Sequence, residues 1–158
     1  ASDISSMCRA LGIPLIINDD VELAARVMAG GVHLGKDDAD VPTARAKLGP
    51  RAIIGVSCYN DIECAIAAER AGADYVAFGS FFPSQVKPDA VRAEITLLQE
   101  AKQKLEIPVV AIGGITVENA PRLIEAGADI LAVITEVFGQ ADIRAAAERF
   151  ATQFPVQA

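Results

Sequence analysis

The sequence predicts an α/β fold built on a parallel β-sheet, and two observations support this prediction. First, apolar segments alternate with amphipathic helical patterns along the whole chain. Second, residues 107–112 form an apolar run without alternating polar positions, which is typical of a strand buried on both faces. Because strands and helices alternate, the strands should pair in parallel through right-handed crossovers.

Hydrophobic spacing places each element. Strands are predicted at residues 13–18, 31–35, 52–57, 74–79, 107–113 and 129–135. Helices are predicted at residues 4–11, 21–29, 41–48, 61–71, 92–105, 117–125 and 142–154. The same tetrapeptide, Ala-Gly-Ala-Asp, ends at Asp74 and again at Asp129. Its glycine is expected to end a helix just before the next strand.

Two architectures fit this order of elements, an open doubly wound sheet and a closed (β/α)8 TIM barrel. An open sheet concentrates its functional groups at one switch point, whereas a barrel collects them after every strand. Polar residues follow all six predicted strands here, from Asn18 after the first to Thr135 at the end of the sixth. We therefore predict one TIM-barrel domain over residues 1–158. Only six strands can be counted, so this barrel lacks its first two strands.

A gap of two strands would expose two parallel edges and part of the apolar interior. We expect further residues or a partner chain to cover that gap, so a homo-oligomer is one expected state.

Composition excludes several classes of protein. The 158 residues carry a net charge of −7, which argues against broad nucleic-acid binding. No apolar run reaches the length of about 20 residues needed to span a bilayer, and the first residues lack a secretory pattern. Three cysteines in no metal-like spacing indicate reduced thiols. We therefore expect a cytoplasmic protein that binds neither membrane nor nucleic acid.

Acidic residues follow the first two predicted strands. Asp19 and Asp38 should lie side by side in a parallel sheet, and two carboxylates with substrate phosphate oxygens suit Mg²⁺. The alternative is structural, because Asp20 and either Asp37 or Asp38 could cap the helices that follow.

Two segments are candidates for holding phosphate. Gly113 and Gly114 join a buried strand to a helix that Thr116 could open, and such a turn either binds an anion through bare amides or only permits tight packing. The loop at residues 81–89 is long for this position, which favours a functional role. In it, Lys87 could neutralise a phosphate or could be an ordinary surface lysine.

His33 is the only histidine and lies inside a short predicted strand. A catalytic role is one interpretation, and a packed, hydrogen-bonded side chain is the other, which we favour. One histidine at this position supports no Ser–His–Asp or Cys–His arrangement.

Five motifs in register resemble the thiamine phosphate synthase family over nearly the whole chain. They are Ile17-Asn-Asp-Asp20, Gly31-Val-His-Leu-Gly35 with Asp38, Ile54-Gly-Val-Ser57, Phe78-Gly-Ser-Phe-Phe-Pro-Ser84 with Lys87-Pro-Asp89, and Ala111-Ile-Gly-Gly-Ile-Thr116. The resemblance implies a (β/α)8 barrel that joins hydroxymethylpyrimidine diphosphate to thiazole phosphate and releases diphosphate.

The resemblance also implies a role for each matching residue. It implies that Asp19 and Asp38 bind Mg²⁺ and that Asn18 lies beside them on the pyrimidine side. It implies that Ser57 and Lys87 act on the departing diphosphate. Backbone amides at Gly114, Ile134 and Thr135 are implied to hold the thiazole phosphate, and Ser84 is implied to help place the thiazole.

The chain departs from the family pattern at several points. It has no counterpart of the Gln-x-Arg-x-Lys motif that grips the pyrimidine diphosphate, and Val86, Lys36 and Tyr59 replace a usual threonine, glutamine and histidine. Two alternative functions follow. A thiazole tautomerase of the same fold would need a histidine where Tyr59 stands. A non-catalytic thiazole phosphate-binding protein would have lost the pyrimidine half of the site.

Overall fold

The computed structural model describes residues 1–83 and 91–154 as six strands and eight helices. The strands are β1 Ile16–Asn18, β2 Gly31–Leu34, β3 Ile53–Tyr59, β4 Tyr75–Phe78, β5 Val109–Ile112 and β6 Ile130–Ala132. The helices are α1 Ser2–Ala10, α2 Val21–Arg26, α3 Val41–Leu48, α4 Ile62–Arg70, α5 Thr96–Lys104, α6 Ala120–Glu125, α7 Thr135–Phe138 and α8 Ile143–Ala151. The strands follow chain order in one sheet.

The pairing resolved along the sheet is parallel. Strand β1 pairs with β2 so that Asn18 lies opposite His33, and β2 pairs with β3 so that His33 lies opposite Gly55. Strand β5 pairs with β6 in the same sense. The α/β class and the parallel pairing predicted from the sequence are therefore confirmed.

Every predicted element is present, with differences at the ends. The prediction of a strand through residue 135 is wrong there, because β6 stops at Ala132 and Thr135 begins the short helix α7. The β-branched residues of that segment favour a strand locally, which hid the single helical turn. Helix α6 begins at Ala120, three residues after its predicted start. The reason is a turn in which Thr116 and Asn119 bond to each other. The Thr116 N–H donates to Asn119 Oδ1 at 2.9 Å, and the Asn119 N–H donates to Thr116 Oγ1 at 3.4 Å.

Helix capping is partly as expected. Asp20 caps α2, since its Oδ1 accepts a hydrogen bond from the Leu23 N–H at 2.8 Å. The prediction that Asp37 or Asp38 caps the next helix is wrong, because Asp40 does so with the Thr43 N–H at 2.8 Å. Pro42 lies in the first turn of α3, where its missing N–H costs no bond within the helix, and Asp40 stands directly before Val41.

The chain divides into two compact units. The first unit comprises Ala1–Cys58 and Glu63–Val76, and the second comprises Tyr59–Ile62 and the chain from Ala77 onward. In the first unit, Leu34 and Ile54 are among the fully buried side chains, and in the second, Phe78 and Leu98 are. None of the three cysteines is in a disulfide bond. Within residues 1–83 and 91–154, no helix combines the length and the apolar character that crossing a membrane requires.

Each unit contains the same carboxylate clamp, formed by the aspartate that ends an Ala-Gly-Ala-Asp joint. In the first unit, Asp74 Oδ2 accepts from the Ile54 N–H at 2.7 Å, and the Asp74 N–H donates to the Ile54 carbonyl at 2.7 Å. Arg45 of α3 completes the clamp with an ion pair of 2.6 Å to the same carboxylate. The clamp therefore satisfies backbone groups at the start of β3 and holds it against the start of β4.

The second unit repeats the carboxylate clamp with different residues. Asp129 Oδ2 accepts from the Val109 N–H at 2.8 Å, and the Asp129 N–H donates to the Val109 carbonyl at 2.9 Å. Lys102 of α5 pairs with the carboxylate at 2.9 Å. In both units the cation comes from the helix before the strand and the aspartate from the joint after the next helix.

We predict that Asp74→Ala and Asp129→Ala each lower the free energy of unfolding by about 1–2 kcal/mol, because a half-buried backbone N–H loses a charged acceptor. Urea denaturation measures this change. Glu148→Ala, at an exposed position of α8, is the matched control and should change stability by less than about 0.5 kcal/mol. Equal small effects at all three positions would show that the clamp contributes nothing.

Candidate active site

The acidic cluster of the first unit comprises Asp19, which follows β1, and Asp38, which follows β2. Asn18 ends β1, and Asp19 follows it in a left-handed backbone conformation with φ of 65°. The Asp19 N–H donates to the His33 carbonyl at 2.8 Å, which fixes this turn against β2. Aspartate tolerates the left-handed region better than most residues. The exposed Asp19 is therefore held at the carboxyl end of the first two strands.

Asp38 belongs to the same cluster. Its side chain is half-buried, and its Oδ2 accepts a hydrogen bond from the Gly35 N–H at 2.6 Å, in the turn directly after β2. Its negative charge also acts on the His33 ring, where it favours the protonated imidazole. Both residues therefore act on His33, Asp19 through a backbone hydrogen bond and Asp38 through its charge.

His33 is the centre of a hydrogen-bonded chain of three side chains. Its Nε2 lies 2.8 Å from Ser57 Oγ, and its Nδ1 lies 2.9 Å from Tyr75 Oη. The His33 and Tyr75 rings also stack, with centroids 5.5 Å apart and planes inclined by 18°. The interpretation of His33 as a packed, hydrogen-bonded side chain is confirmed.

Gly55 makes this stacking possible. It lies on β3, opposite His33 in register, and a Cβ atom at this position would fall inside the Tyr75 ring. The absent side chain lets rings from β2 and β4 meet over the strand between them.

Burial sets the protonation of the two rings. Desolvation lowers the pKa of His33, and the Asp38 charge opposes this shift without reversing it. Burial raises the pKa of Tyr75 to about 12. The phenol therefore keeps its proton at neutral pH, and the imidazole favours its neutral form.

The donor set of the acidic cluster fits Mg²⁺. Asp19 and Asp38 supply hard carboxylate oxygens, and Mg²⁺ is commonly held by one or two carboxylates together with water and phosphate oxygens. In the part of the chain that the structure describes, no group of three or more His, Cys, Asp and Glu side chains is arranged to hold a metal alone. A site completed by substrate oxygens agrees with both facts.

A second candidate lies in the second unit, where the Gly113–Gly114 turn follows β5. Both glycines have left-handed backbones, with φ of 92° and 64°. A Cβ atom on Gly114 would lie 2.7 Å from the Phe82 carbonyl carbon and would meet the Pro83 oxygen, and one on Gly113 would meet Ser80. Tight packing is therefore a real reason for both glycines.

Hydrogen bonds hold this glycine turn in place. The Phe82 N–H donates to the Gly113 carbonyl at 3.1 Å, and Asn119 Nδ2 donates to the Gly114 carbonyl at 3.1 Å. In both bonds a glycine carbonyl oxygen is the acceptor, so the carbonyl groups of the turn hold it in place.

The other predicted site residues are distributed as follows. Ile134 precedes the first residue of α7 and is 64% exposed, and Thr135 begins that helix and is also exposed. Ser84 and Lys87 lie outside the described residues, as does Val86. Lys36 and Tyr59 are exposed.

Sequence reasoning gave no separate role to Gly55, Tyr75 or Ser80. A signal existed for the first two, because Gly55 interrupts an otherwise bulky strand and Tyr75 places a hydroxyl in an apolar one. The contact between Ser80 and Gly113 joins segments far apart in the sequence, and no local pattern indicates it.

The parallel α/β sheet, with an acidic cluster after its first strands and a glycine turn after β5, is typical of an enzyme that handles phosphorylated small molecules. A family model described as thiamine monophosphate synthase matches residues 1–137. The chain belongs to the thiamine monophosphate synthase family.

Curated relatives carry the same description. The chain is 56% identical over 155 residues to the thiamine-phosphate synthase of Nitrosococcus oceani, covering 98% of this chain and 71% of that protein. It is 60% identical over 142 residues to the thiamine-phosphate synthase of Azoarcus sp., covering 90% and 69%.

Two solved structures superpose on this chain. The thiamine phosphate pyrophosphorylase of Pyrococcus furiosus superposes with a TM-score of 0.86 at 36% identity, covering 96% of this chain and 72% of that one. A 3-hexulose-6-phosphate synthase superposes with a TM-score of 0.72 at 18% identity, covering 98% and 80%. The second likeness concerns the fold alone.

We predict that lowering the pH from about 7.5 to about 5.5 reduces the free energy of unfolding. The unfolded His33 takes up a proton near its ordinary pKa of 6.5, whereas burial lowers the pKa of the folded imidazole. The stabilisation is thus complete above pH 6.5 and is lost as the pH falls toward the folded pKa. His33→Asn, which leaves the chain without histidine, should flatten the profile over this interval. Parallel urea-denaturation profiles for the two proteins would contradict this assignment.

We predict that Gly114→Ala destabilises the protein by about 2–3 kcal/mol, because a left-handed backbone and a clash with the 82–83 backbone add together. Gly72→Ala is the matched control. Gly72 also has a left-handed backbone, with φ of 92°, but a Cβ atom there meets nothing within 4 Å. It should cost only about 1 kcal/mol. Thermal or urea unfolding distinguishes the two, and equal losses would remove the packing explanation.

Proposed function

We propose that this chain is a transferase that joins hydroxymethylpyrimidine diphosphate to thiazole phosphate, giving thiamine phosphate and diphosphate. The observation that carries the proposal is the family match over residues 1–137 together with relatives above 50% identity, all described as thiamine-phosphate synthases. The acidic cluster and the glycine turn supply the two chemistries that these substrates need.

The acidic cluster is the proposed site of the pyrimidine diphosphate. Asp19 and Asp38 would hold Mg²⁺, and Asn18 ends β1 directly before Asp19. When bound, Mg²⁺ supplies positive charge that neutralises the departing diphosphate. Ser57 donates its hydroxyl hydrogen to the diphosphate, and Lys87 adds a further positive charge there.

The glycine turn is the proposed site of the thiazole phosphate. Gly114 follows β5, Ile134 directly precedes α7, and Thr135 begins that helix. The first N–H groups of a helix have no partner within the helix, so they can bind an anion. The loops after the last two strands are also where barrels of this class commonly bind phosphate. Ser84 assists in placing the thiazole.

The proposed reaction requires no protein nucleophile. The bond between the pyrimidine methylene carbon and the diphosphate oxygen breaks, and both bonding electrons leave with the diphosphate. The electron-rich aminopyrimidine stabilises the resulting cation. The thiazole nitrogen then donates its lone pair to the methylene carbon and forms the new carbon–nitrogen bond.

The barrel is the finer part of the fold proposal. We propose that the six strands belong to a (β/α)8 barrel completed by two further βα units. The match covers only about 70% of the relatives' lengths. In the first unit, Ile4, Met7 and Leu11 are 54–70% exposed around α1, which is apolar surface that further elements or a second copy would cover. The length of the encoding reading frame and the oligomeric state by light scattering test these alternatives.

A thiazole tautomerase is the second candidate among enzymes. Tyr59, which stands where that enzyme needs a histidine, is exposed at the end of β3 with φ of 55°. Histidine is the side chain most often used as a general acid or base, and Tyr59 lacks the imidazole. This position therefore favours the synthase.

We predict that Asp38→Asn lowers Mg²⁺-dependent formation of thiamine phosphate by at least about 100-fold, because a neutral amide replaces a charged ligand. The protein is expressed from its complete reading frame, and turnover is followed by diphosphate release at several Mg²⁺ concentrations. Circular dichroism checks that the fold is retained.

Asp37→Asn is the matched control, since Asp37 is an exposed neighbour and should leave turnover within about twofold. Unchanged turnover in Asp38→Asn would remove the metal assignment. Thiazole phosphate binding without turnover in the unsubstituted protein would favour the non-catalytic binding protein.

A further inference from the structure

Three side chains of the first unit, those of Tyr75, His33 and Ser57, form a continuous hydrogen-bonded line. Tyr75 Oη, the two nitrogens of His33 and Ser57 Oγ follow one another at 2.9 and 2.8 Å. Ser57 is the end of this line that the proposed function places on the diphosphate. Neither Tyr75 nor His33 has a role in the reaction described so far.

We propose that Tyr75 and His33 are positioning residues, which together turn the Ser57 hydroxyl hydrogen toward the diphosphate of the pyrimidine substrate. This inference rests on the proposed function, because it takes Ser57 as the group that meets the diphosphate.

Counting hydrogens gives the direction of each bond. A neutral imidazole carries one N–H, so one ring nitrogen donates and the other accepts. If Ser57 donates to an anion, its oxygen can only accept from His33, which puts the ring hydrogen on Nε2. Nδ1 then has to accept, and the Tyr75 hydroxyl donates to it. All three hydrogens thus point toward the anion.

The opposite direction is unfavourable for an anion. If Ser57 donated to Nε2, the hydroxyl lone pairs would face the negatively charged diphosphate, and Nδ1–H would donate to Tyr75. A phenol donates a hydrogen bond more readily than it accepts one, so Tyr75 favours the tautomer with the hydrogen on Nε2, which suits the substrate.

The surrounding structure keeps the line rigid. The Tyr75 ring stacks on His33 over Gly55, and Gly55 and Ser57 are two residues apart on one face of β3. Both residues are half-buried, which favours uncharged groups. A phenol that keeps its proton is a dependable donor.

The first experiment is a double-mutant cycle in the protein from its complete reading frame, with kcat and KM measured for both substrates. Tyr75→Phe keeps the ring and removes the donor, and we expect kcat/KM for the pyrimidine diphosphate to fall about fivefold while KM for thiazole phosphate stays unchanged. In a Ser57→Ala background, the same substitution should change kcat/KM by less than about twofold.

Tyr59→Phe is the matched control, because Tyr59 is the only other tyrosine. It should leave all parameters within about twofold. A Tyr75→Phe effect that is equally large in the Ser57→Ala background would show general destabilisation and would overturn the positioning role. The same conclusion follows if Ser57→Ala lowers turnover but Tyr75→Phe does not.

The second experiment reads the tautomer directly. His33 is the only histidine, so a protein labelled with ¹⁵N-histidine gives signals from one imidazole. With Mg²⁺ and inorganic diphosphate added, long-range ¹H–¹⁵N correlation spectra should show the hydrogen on Nε2. In Tyr75→Phe, the signals should move toward the Nδ1–H form.

This measurement separates failure of the inference from failure of the proposed function. An Nδ1–H tautomer in the unsubstituted protein with Mg²⁺ and diphosphate bound would overturn the inference, whatever the turnover. A protein without synthase activity that still shows the Nε2–H form with diphosphate, lost in Tyr75→Phe, would contradict the proposed reaction and support the positioning role. Diphosphate binding can be checked separately by calorimetry. If diphosphate binds but the imidazole chemical shifts of His33 do not change, the inference is also overturned.

Discussion

Parallel pairing in one register is the constraint on which the first unit depends. Asn18 lies opposite His33, and His33 lies opposite Gly55, so residues far apart in sequence reach the same level of the sheet. A shift of one residue would turn His33 to the other face and would separate it from Ser57 and Tyr75. The register therefore decides both the core and the candidate chemistry, since strand ends and ring contacts follow from it.

Glycine has three different uses in this chain, and each follows from a specific contact. Gly55 makes room for an aromatic ring from the neighbouring strand, and Gly114 makes room for the backbone of residues 82–83. Gly72 ends a helix in a left-handed conformation with open space around it. The sequence pattern reveals the third use, because a helix end is local. The first two depend on neighbours that only the folded chain brings close.

The sequence predicts the order of elements well because periodicity is a local property. Helix α3 is predicted with its observed bounds, and every strand is found within a few residues. The errors have tertiary or single-turn causes, as in the helical turn at Thr135 and the cap supplied by Asp40 instead of Asp37 or Asp38. For the candidate site, strand ends locate Asp19, Asp38 and Ser57, but nothing local indicates that Tyr75 completes the line through His33. The roles of these side chains toward substrates stay predictions.

The carboxylate clamp has a consequence for the folding of this chain during its synthesis on the ribosome. In both units the aspartate lies 20 residues after the residue whose N–H it accepts, and the cation comes from the helix just before that strand. All residues of a clamp therefore lie within a short stretch of the sequence, and the clamp needs no distant segment of the chain. Such short-range closure favours rapid formation of successive βαβ segments during translation. Each clamp can therefore form soon after its Ala-Gly-Ala-Asp segment has left the ribosomal exit tunnel.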